Sequence, residues 1–167
     1  MPHFPALRAQ RHADSPYGRV LLARTDLGLA GLWNAGQAHH PPMLSVPEES
    51  HPWFDTALAA LEAWGAWPRP QNDPPLPPLD PQGTPFQLAV WARLLTIPRG
   101  GLTSYGAIAQ GLGQPQASRA VGAAVGRNPI GILLPCHRVV GARGELTGYA
   151  GGLPLKTLLL QQEGVLI

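Results

Sequence analysis

The chain has 167 residues, 44% of them apolar, and a single cysteine, so it can bury a sizeable core but cannot form an intramolecular disulfide. That cysteine usage suits a reducing compartment, and a cytoplasmic location is expected: the N-terminal "MPHFPALRAQRHADSP" has no apolar run of signal-peptide length, and no stretch is long enough to span a membrane. The net charge of +2 hides an asymmetry, because residues 1–83 carry five Arg against eight Asp and Glu, whereas residues 84–167 carry six Arg and one Lys against two Glu. A basic half of this kind fits a polyanionic partner, nucleic acid first, or an ordinary solvated surface.

In chain order, "GRVLLART" and "LGLAGLWN" are two β-type runs that predict a hairpin turning at Thr25 and Asp26. An irregular stretch around "AHHPPMLSVPEES" leads to a helix expected from Pro52 to Trp64, with Phe54, Leu58, Leu61 and Trp64 on one face and Gly65 ending it. Of the 20 prolines, 13 lie in residues 1–78, most densely in "PRPQNDPPLPPLDP" at 68–81. That stretch excludes a helix interior and a central strand, and predicts an extended linker between two units, residues 1–79 and residues 80–167.

Beyond the linker the pattern is mostly helical. Thr84, Pro85 and Gln87 form a capping box with proline at the first helical position, opening a helix to about Ile97 with Phe86, Val90 and Leu94 as its stripe. Ser104 caps a short helix, "YGAIAQGL", closed by Gly113, and a second short helix is expected over about Gln116 to Val125. Two short helices about a glycine-containing turn outline a helix-turn-helix. "IGILLP" reads as a short buried strand or extended run into Cys136, "GARGELTGYAGG" as a loop. A final helix is expected from Pro154 to about Glu163 with Leu155, Leu158 and Leu159 inward, ending at Gly164. The fold class expected is therefore α+β: a small N-terminal sheet-and-helix domain, then a mainly helical domain with a helix-turn-helix.

The second helix of that pair, "QASRAVGAAVG", offers four alanines, two glycines and one central Arg119. It has little with which to read base edges, but is slim enough to approach a groove closely, with one cation to insert; equally, small residues serve tight helix packing. Cys136 has comparable alternatives. A lone cysteine is ordinarily a small buried hydrophobe. Metal ligation lacks a second thiol, and His39 and His40 read as loop residues, so no metal and no cofactor are expected. A nucleophile needs the thiolate, which the neighbouring His137 and Arg138 favour, with Glu163 available to orient the imidazole.

"LPCHRVVG", preceded by "SRAVGAAVGRNP" and followed by "GYAGGLPLKTLLLQQEG", resembles the signature of the O6-alkylguanine-DNA alkyltransferases, over about Gly83 to Gly164 and in the same order and spacing. "SPYGRVLLARTDLGLAGLW" is similar to the hairpin of that family's N-terminal domain; residues 35–79 show no such likeness. The resemblance implies a single-turnover DNA repair protein that moves an alkyl group from O6-alkylguanine, with O4-alkylthymine as a second candidate substrate, to its own Cys136. It implies that His137 activates Cys136 through a water, that Glu163 partners His137, and that Asn128 holds the bend between the DNA-binding helix and the active site. Tyr105 would help extrude the nucleotide and protonate the guanine, and Arg119 would fill the vacated place in the stack. The partner implied is double-stranded DNA, met in the minor groove by Thr103, Ser104, Ala117, Ser118, Ala120, Gly122 and Ala123 around Arg119, with the protein a monomer. Tyr149, Val139, Ala150 and Gly131 would join Tyr105 in lining the pocket for the flipped guanine.

Three departures qualify the likeness. Ala150 replaces a serine of mammalian members, Gly131 replaces a proline, and the cysteine-based zinc site of the human form has no counterpart here. The competing readings are a non-catalytic alkyltransferase-like recognition module, which would carry tryptophan in place of Cys136, a helix-turn-helix regulator, and a multiple-turnover cysteine hydrolase.

Overall fold

Strands β2 (Gly18–Arg24) and β3 (Leu29–Asn34) form the expected antiparallel hairpin, with a turn running from Thr25 to Gly28, longer than the Thr25–Asp26 turn expected. A further strand, β1 (Ala9–Ser15), pairs with β2 and completes a three-stranded sheet in the order β1-β2-β3. Its sequence, AQRHADS, has too few apolar residues to announce a strand; its pairing with β2 makes it one. Buried Gln10 of β1 donates its side-chain amide to the Val46 carbonyl at 2.7 Å, pinning the irregular stretch to the sheet. This computed structural model describes residues 7–166; residues 1–6 of the N-terminal stretch read above lie outside the described residues. Among the described residues, no helix is long and apolar enough to cross a membrane.

Helix α1 (Pro52–Trp64) has the predicted bounds, with His51 accepting the Trp53 N–H as cap. It buries Phe54, Leu61 and Trp64, with Ala57 and Ala60 in place of the half-buried Leu58. The proline-rich segment that follows is extended, and its end is strapped to the hairpin. Leu29 N–H donates to Pro78 O at 2.8 Å, Asp80 N–H to Leu29 O at 2.7 Å, and Thr25 Oγ1 to Asp80 at 2.5 Å. Gly28 permits the approach, since a Cβ there would lie 2.7 Å from the Pro78 carbonyl oxygen.

Helix α2 (Pro85–Leu94) opens on the predicted capping box and stops at Leu94, one turn before the expected Ile97. Helix α3 (Tyr105–Gly111) is capped by Ser104, whose hydroxyl accepts the Ala107 N–H. Helix α4 (Ser118–Gly126) starts two residues later than expected, because Gln114–Ala117 is taken up by the turn. Trp91 of α2 donates its indole N–H to the Ala124 carbonyl of α4 at 2.8 Å. The main apolar core runs beneath all of these, joining Leu22 and Leu32 of the sheet, Trp64 of α1, Val90 of α2, Val121 of α4 and Leu159 near the C-terminus, with a smaller cluster of Leu21, Ala23 and Trp33 beside it.

Two expectations are corrected around Cys136. "IGILLP" is no strand: after one bridge between Ile130 and Leu32 it turns, with Ile132 at φ +68°, and Cys136–Arg138 is a short 3-10 turn. The reversal lets Asn128 bond Leu134 O and leaves Cys136 buried, 5% exposed, on the 3-10 turn. The next two residues form β5 (Val139–Val140), parallel to β4 (Thr103–Ser104). Helix α5 (Leu153–Gln162) buries Lys156, Leu159 and Leu160, while Leu158 is 41% exposed; the inward stripe is rotated from the one expected. Its seat is set by Lys156 and Glu163, one helical stripe of spacing seven, both of which find partners inside.

Candidate active site

The turn carrying Cys136 is held by Asn128, at the end of α4. The Asn128 amide donates to Leu134 O at 2.8 Å and its carbonyl accepts the Ile130 N–H at 2.9 Å. These bonds span Ile132, whose left-handed conformation costs a β-branched residue on the order of 1–3 kcal/mol and persists only where the surroundings over-determine it. Cys136 is 5% exposed, with Asn128, Tyr149 and Lys156 about its sulfur. Burial pushes the thiol up from its ordinary value, while the Asn128 side chain and the Lys156 charge pull the other way. The Tyr149 hydroxyl is pushed well up by burial and by the adjacent Cys136.

His137 is fully buried, and its Nε2 lies 2.5 Å from Glu163 Oε2. Its other nitrogen, Nδ1, is buried with no protein partner among the described residues. Burial lowers the basicity of this imidazole, opposed by Glu163. Glu163 also receives the Trp64 indole N–H at 3.1 Å and Arg138 Nε at 2.6 Å. Burial raises this carboxyl, but the bonds from His137 and Arg138 outweigh it and hold the group at about 2. Its ordinary value is near 4.5, so the folded state prefers the carboxylate. The resulting stability, on the order of 3 kcal/mol, is fully present above the unfolded value and is lost as pH falls toward 2. Urea midpoints of the wild type should therefore fall more steeply than those of Glu163→Gln between about pH 5 and pH 2. Parallel slopes would contradict it.

Asp73 and Lys156 are absent from the sequence-based expectations, which give Arg138 only as a cation beside the thiol and Trp64 only as a face residue of α1. Arg138 is fully buried and binds Asp73 through both Nη atoms, at 2.9 and 2.7 Å. Lys156, also fully buried, donates Nζ to Val139 O at 2.7 Å. Lys156 had a detectable signal: it stands seven residues before Glu163 on a helix otherwise lined by leucine. Asp73 had none, lying in a proline-rich run with no periodicity.

The remaining expected residues gather on one side. Tyr105, Ser118, Arg119, Gly122, Glu145 and Thr147 line one open groove. Tyr105 Oη shares a 2.6 Å hydrogen bond with Thr147 Oγ1, and the Tyr105 ring lies against Gly122. Arg119, Ala120 and Ala123 form the exposed face of α4, whose opposite face buries Val121, Ala124 and Val125. Ala117 sits at the start of that helix, and Thr103 and Ser104 are half-buried on β4. The β4–β5 pairing of Thr103 with Val139 fixes Tyr105 relative to Cys136. Two expected pocket residues are engaged elsewhere through their backbone: Gly131 N–H donates to Leu32 O at 3.0 Å, and Ala150 O accepts from Ala38 at 3.0 Å. Among the described residues, no group of three or more His, Cys, Asp or Glu side chains is arranged to hold a metal ion.

A buried thiol, an imidazole paired with a buried carboxylate, and a helix pair with a small-residue face are thus assembled in one chain. Residues 85–165 match the family model described as 6-O-methylguanine DNA methyltransferase, DNA binding domain. The chain is 44% identical over 155 residues to a methylated-DNA–protein-cysteine methyltransferase of Methanosarcina acetivorans, covering 90% of this chain and 95% of that one. A namesake from Mycobacterium leprae is 44% identical over 154 residues, covering 92% of this chain and 90% of that one. The crystal structure of Mycobacterium tuberculosis OGT in complex with DNA superposes with a TM-score of 0.79 at 41% identity, covering 95% of this chain and 94% of that one. With 44% identity over nine-tenths of its length to a curated member, and a family model that spans Cys136, the chain belongs to the methylated-DNA–protein-cysteine methyltransferase family.

Proposed function

We propose that the protein repairs O6-alkylguanine in duplex DNA by transferring the alkyl group to Cys136. The observation that carries this reading is the buried Glu163–His137 pair immediately beside the one cysteine of the chain. His137 Nδ1 takes the Cys136 proton through a water, and Glu163 stabilises the imidazolium that results. The thiolate sulfur forms a bond to the alkyl carbon as the bond from that carbon to guanine O6 breaks. The electron pair passes to the base, which gains a proton from Tyr105. Lys156 and Asn128 stabilise the thiolate.

The target atom is inside the duplex, so the nucleotide must be extruded, at a cost of about a few kcal/mol. Helix α4 enters the minor groove with Ala117, Ser118, Ala120, Gly122 and Ala123 against the backbone, and Arg119 fills the gap in the stack. Thr103 and Ser104 contact the adjoining strand. Tyr149, Val139, Ala150 and Gly131 form the walls around the flipped guanine with Tyr105. Residues 80–167 carry these functions, residues 1–79 support them, and the protein acts as a monomer in the cytoplasm.

The product is a thioether, which offers no carbonyl for hydrolysis, and no second thiol exists to remove the group. Each molecule therefore turns over once. Incubation with a duplex containing one O6-methylguanine should add about 14 Da to the peptide bearing Cys136, saturating at one equivalent, by intact and peptide mass spectrometry. An unchanged mass despite tight lesion binding would instead assign a recognition module.

A further inference from the structure

The N-terminal half reaches the reacting residues at two points. Trp64, at the end of α1, donates to Glu163, and Asp73, in the proline-rich segment, occupies both Nη atoms of Arg138. An arginine presents five N–H donors in a fixed fork, and a bidentate carboxylate is its best partner. Arg138 has two carboxylates in reach. Asp73 takes the forked end and Ile97 O accepts from the same Nη1 at 2.9 Å, so that Glu163 Oε1 is met by Nε alone and not by the fork. Glu163 Oε2 is thereby left to His137.

We propose that Asp73 is a positioning residue for alkyl transfer: by occupying the fork of Arg138 it keeps the Glu163 carboxylate in the service of His137, so that the N-terminal half helps to set the proton relay. This rests on the reading of His137 and Glu163 given above. The charges in contact support it. Arg138 and Arg99 are balanced by Asp73 and Glu163, with Arg99 Nη1 3.5 Å from Asp73 and its Nη2 bonded to Trp64 O. Both guanidinium groups lie over the Trp64 ring, at 5.6 and 5.7 Å from its centroid. Nearby, Tyr17 bonds Gln162, and Cys136, Tyr149 and Lys156 bound the thiol side. The set of two arginines and two carboxylates is thus neutral while His137 is neutral, with Lys156 a separate cation on the thiol side. Without Asp73 the set carries one uncompensated buried cation, and a proton on His137 becomes harder to accept. Arg138 would also turn its fork to Glu163.

The test uses the full chain reacting with a free O6-alkylguanine base such as O6-benzylguanine, which needs no flipping, across a range of pH. Protonated His137 cannot accept the thiol proton, so the acid limb of the rate follows its titration. Asp73→Asn should slow transfer at neutral pH by about tenfold or more and move the acid limb to lower pH, since the added net positive charge disfavours the imidazolium. Arg99→Gln removes a positive charge and should move the limb to higher pH. The double variant, again balanced, should return the limb toward that of the wild type. A slower Asp73→Asn with an unmoved limb, or limbs moving the same way in both single variants, would reduce Asp73 to a packing role and overturn the proposal. Should Asp73→Asn fail to fold, an unmoved limb in Arg99→Gln does the same. Glu163→Gln separates the two readings: wild-type transfer there sinks the relay itself, whereas its loss beside an indifferent Asp73→Asn sinks only the proposal for Asp73.

Discussion

A Cys136→Ala protein should lose alkyl transfer entirely while still binding duplex DNA that carries the lesion. The loss is complete rather than partial because the acceptor atom itself is gone, and with a single cysteine in the chain no other thiol can take its place. Binding persists because the turn is held by Asn128 through the backbone of Ile130 and Leu134, not through the sulfur. The groove bearing Tyr105 and Arg119 is likewise built by α3, α4 and the Glu145–Thr147 loop. Intact mass after incubation with an O6-methylguanine duplex checks the first half, and a mobility-shift titration checks the second. Residual transfer would mean that another group is the acceptor. A protein that neither transfers nor binds would mean that the thiol holds the site together.

The second large effect concerns Arg119, which stands on the exposed face of α4 at the edge of that groove. Arg119→Ala should slow transfer from duplex DNA by about a hundredfold. Extruding a paired nucleotide costs about a few kcal/mol, and in the proposed mechanism the Arg119 guanidinium fills the stack and compensates much of it, each 1.4 kcal/mol being worth a factor of ten. Reaction with the free alkylated base should be nearly unchanged, because that substrate has no stack to leave. Single-turnover rates on the two substrates provide the comparison. Equal losses on both would place Arg119 in the pocket or in the fold rather than in the stack.

How much of this was legible in the sequence depended on the range of the interaction concerned. The Thr84–Gln87 capping box, the Ser104 cap and the bounds of α1 were readable because each is decided within a few residues. The family was readable for a related reason: the motif around Cys136 and His137 lies along the chain in a fixed order and spacing. Strand β1 was not readable, because AQRHADS becomes a strand only by pairing with β2. Leu158 and Lys156 exchanged places for a similar reason. Counting apolar residues puts leucine inside, but buried Lys156 finds the carbonyl of Val139, and that bond repays part of its desolvation.

The sequence by itself determined the family, the α+β class, the helix-turn-helix outline and the residues adjoining the thiol, since periodicity, capping and motif order are local properties written along the chain. Only the tertiary structure decided what surrounds His137. Asp73 meets Arg138 across 65 residues and Trp64 meets Glu163 across 99. A buried charge can settle only where another segment brings a counter-charge or hydrogen-bond acceptors. Which segment does so is fixed by packing of the whole core, not by the residues beside the charge.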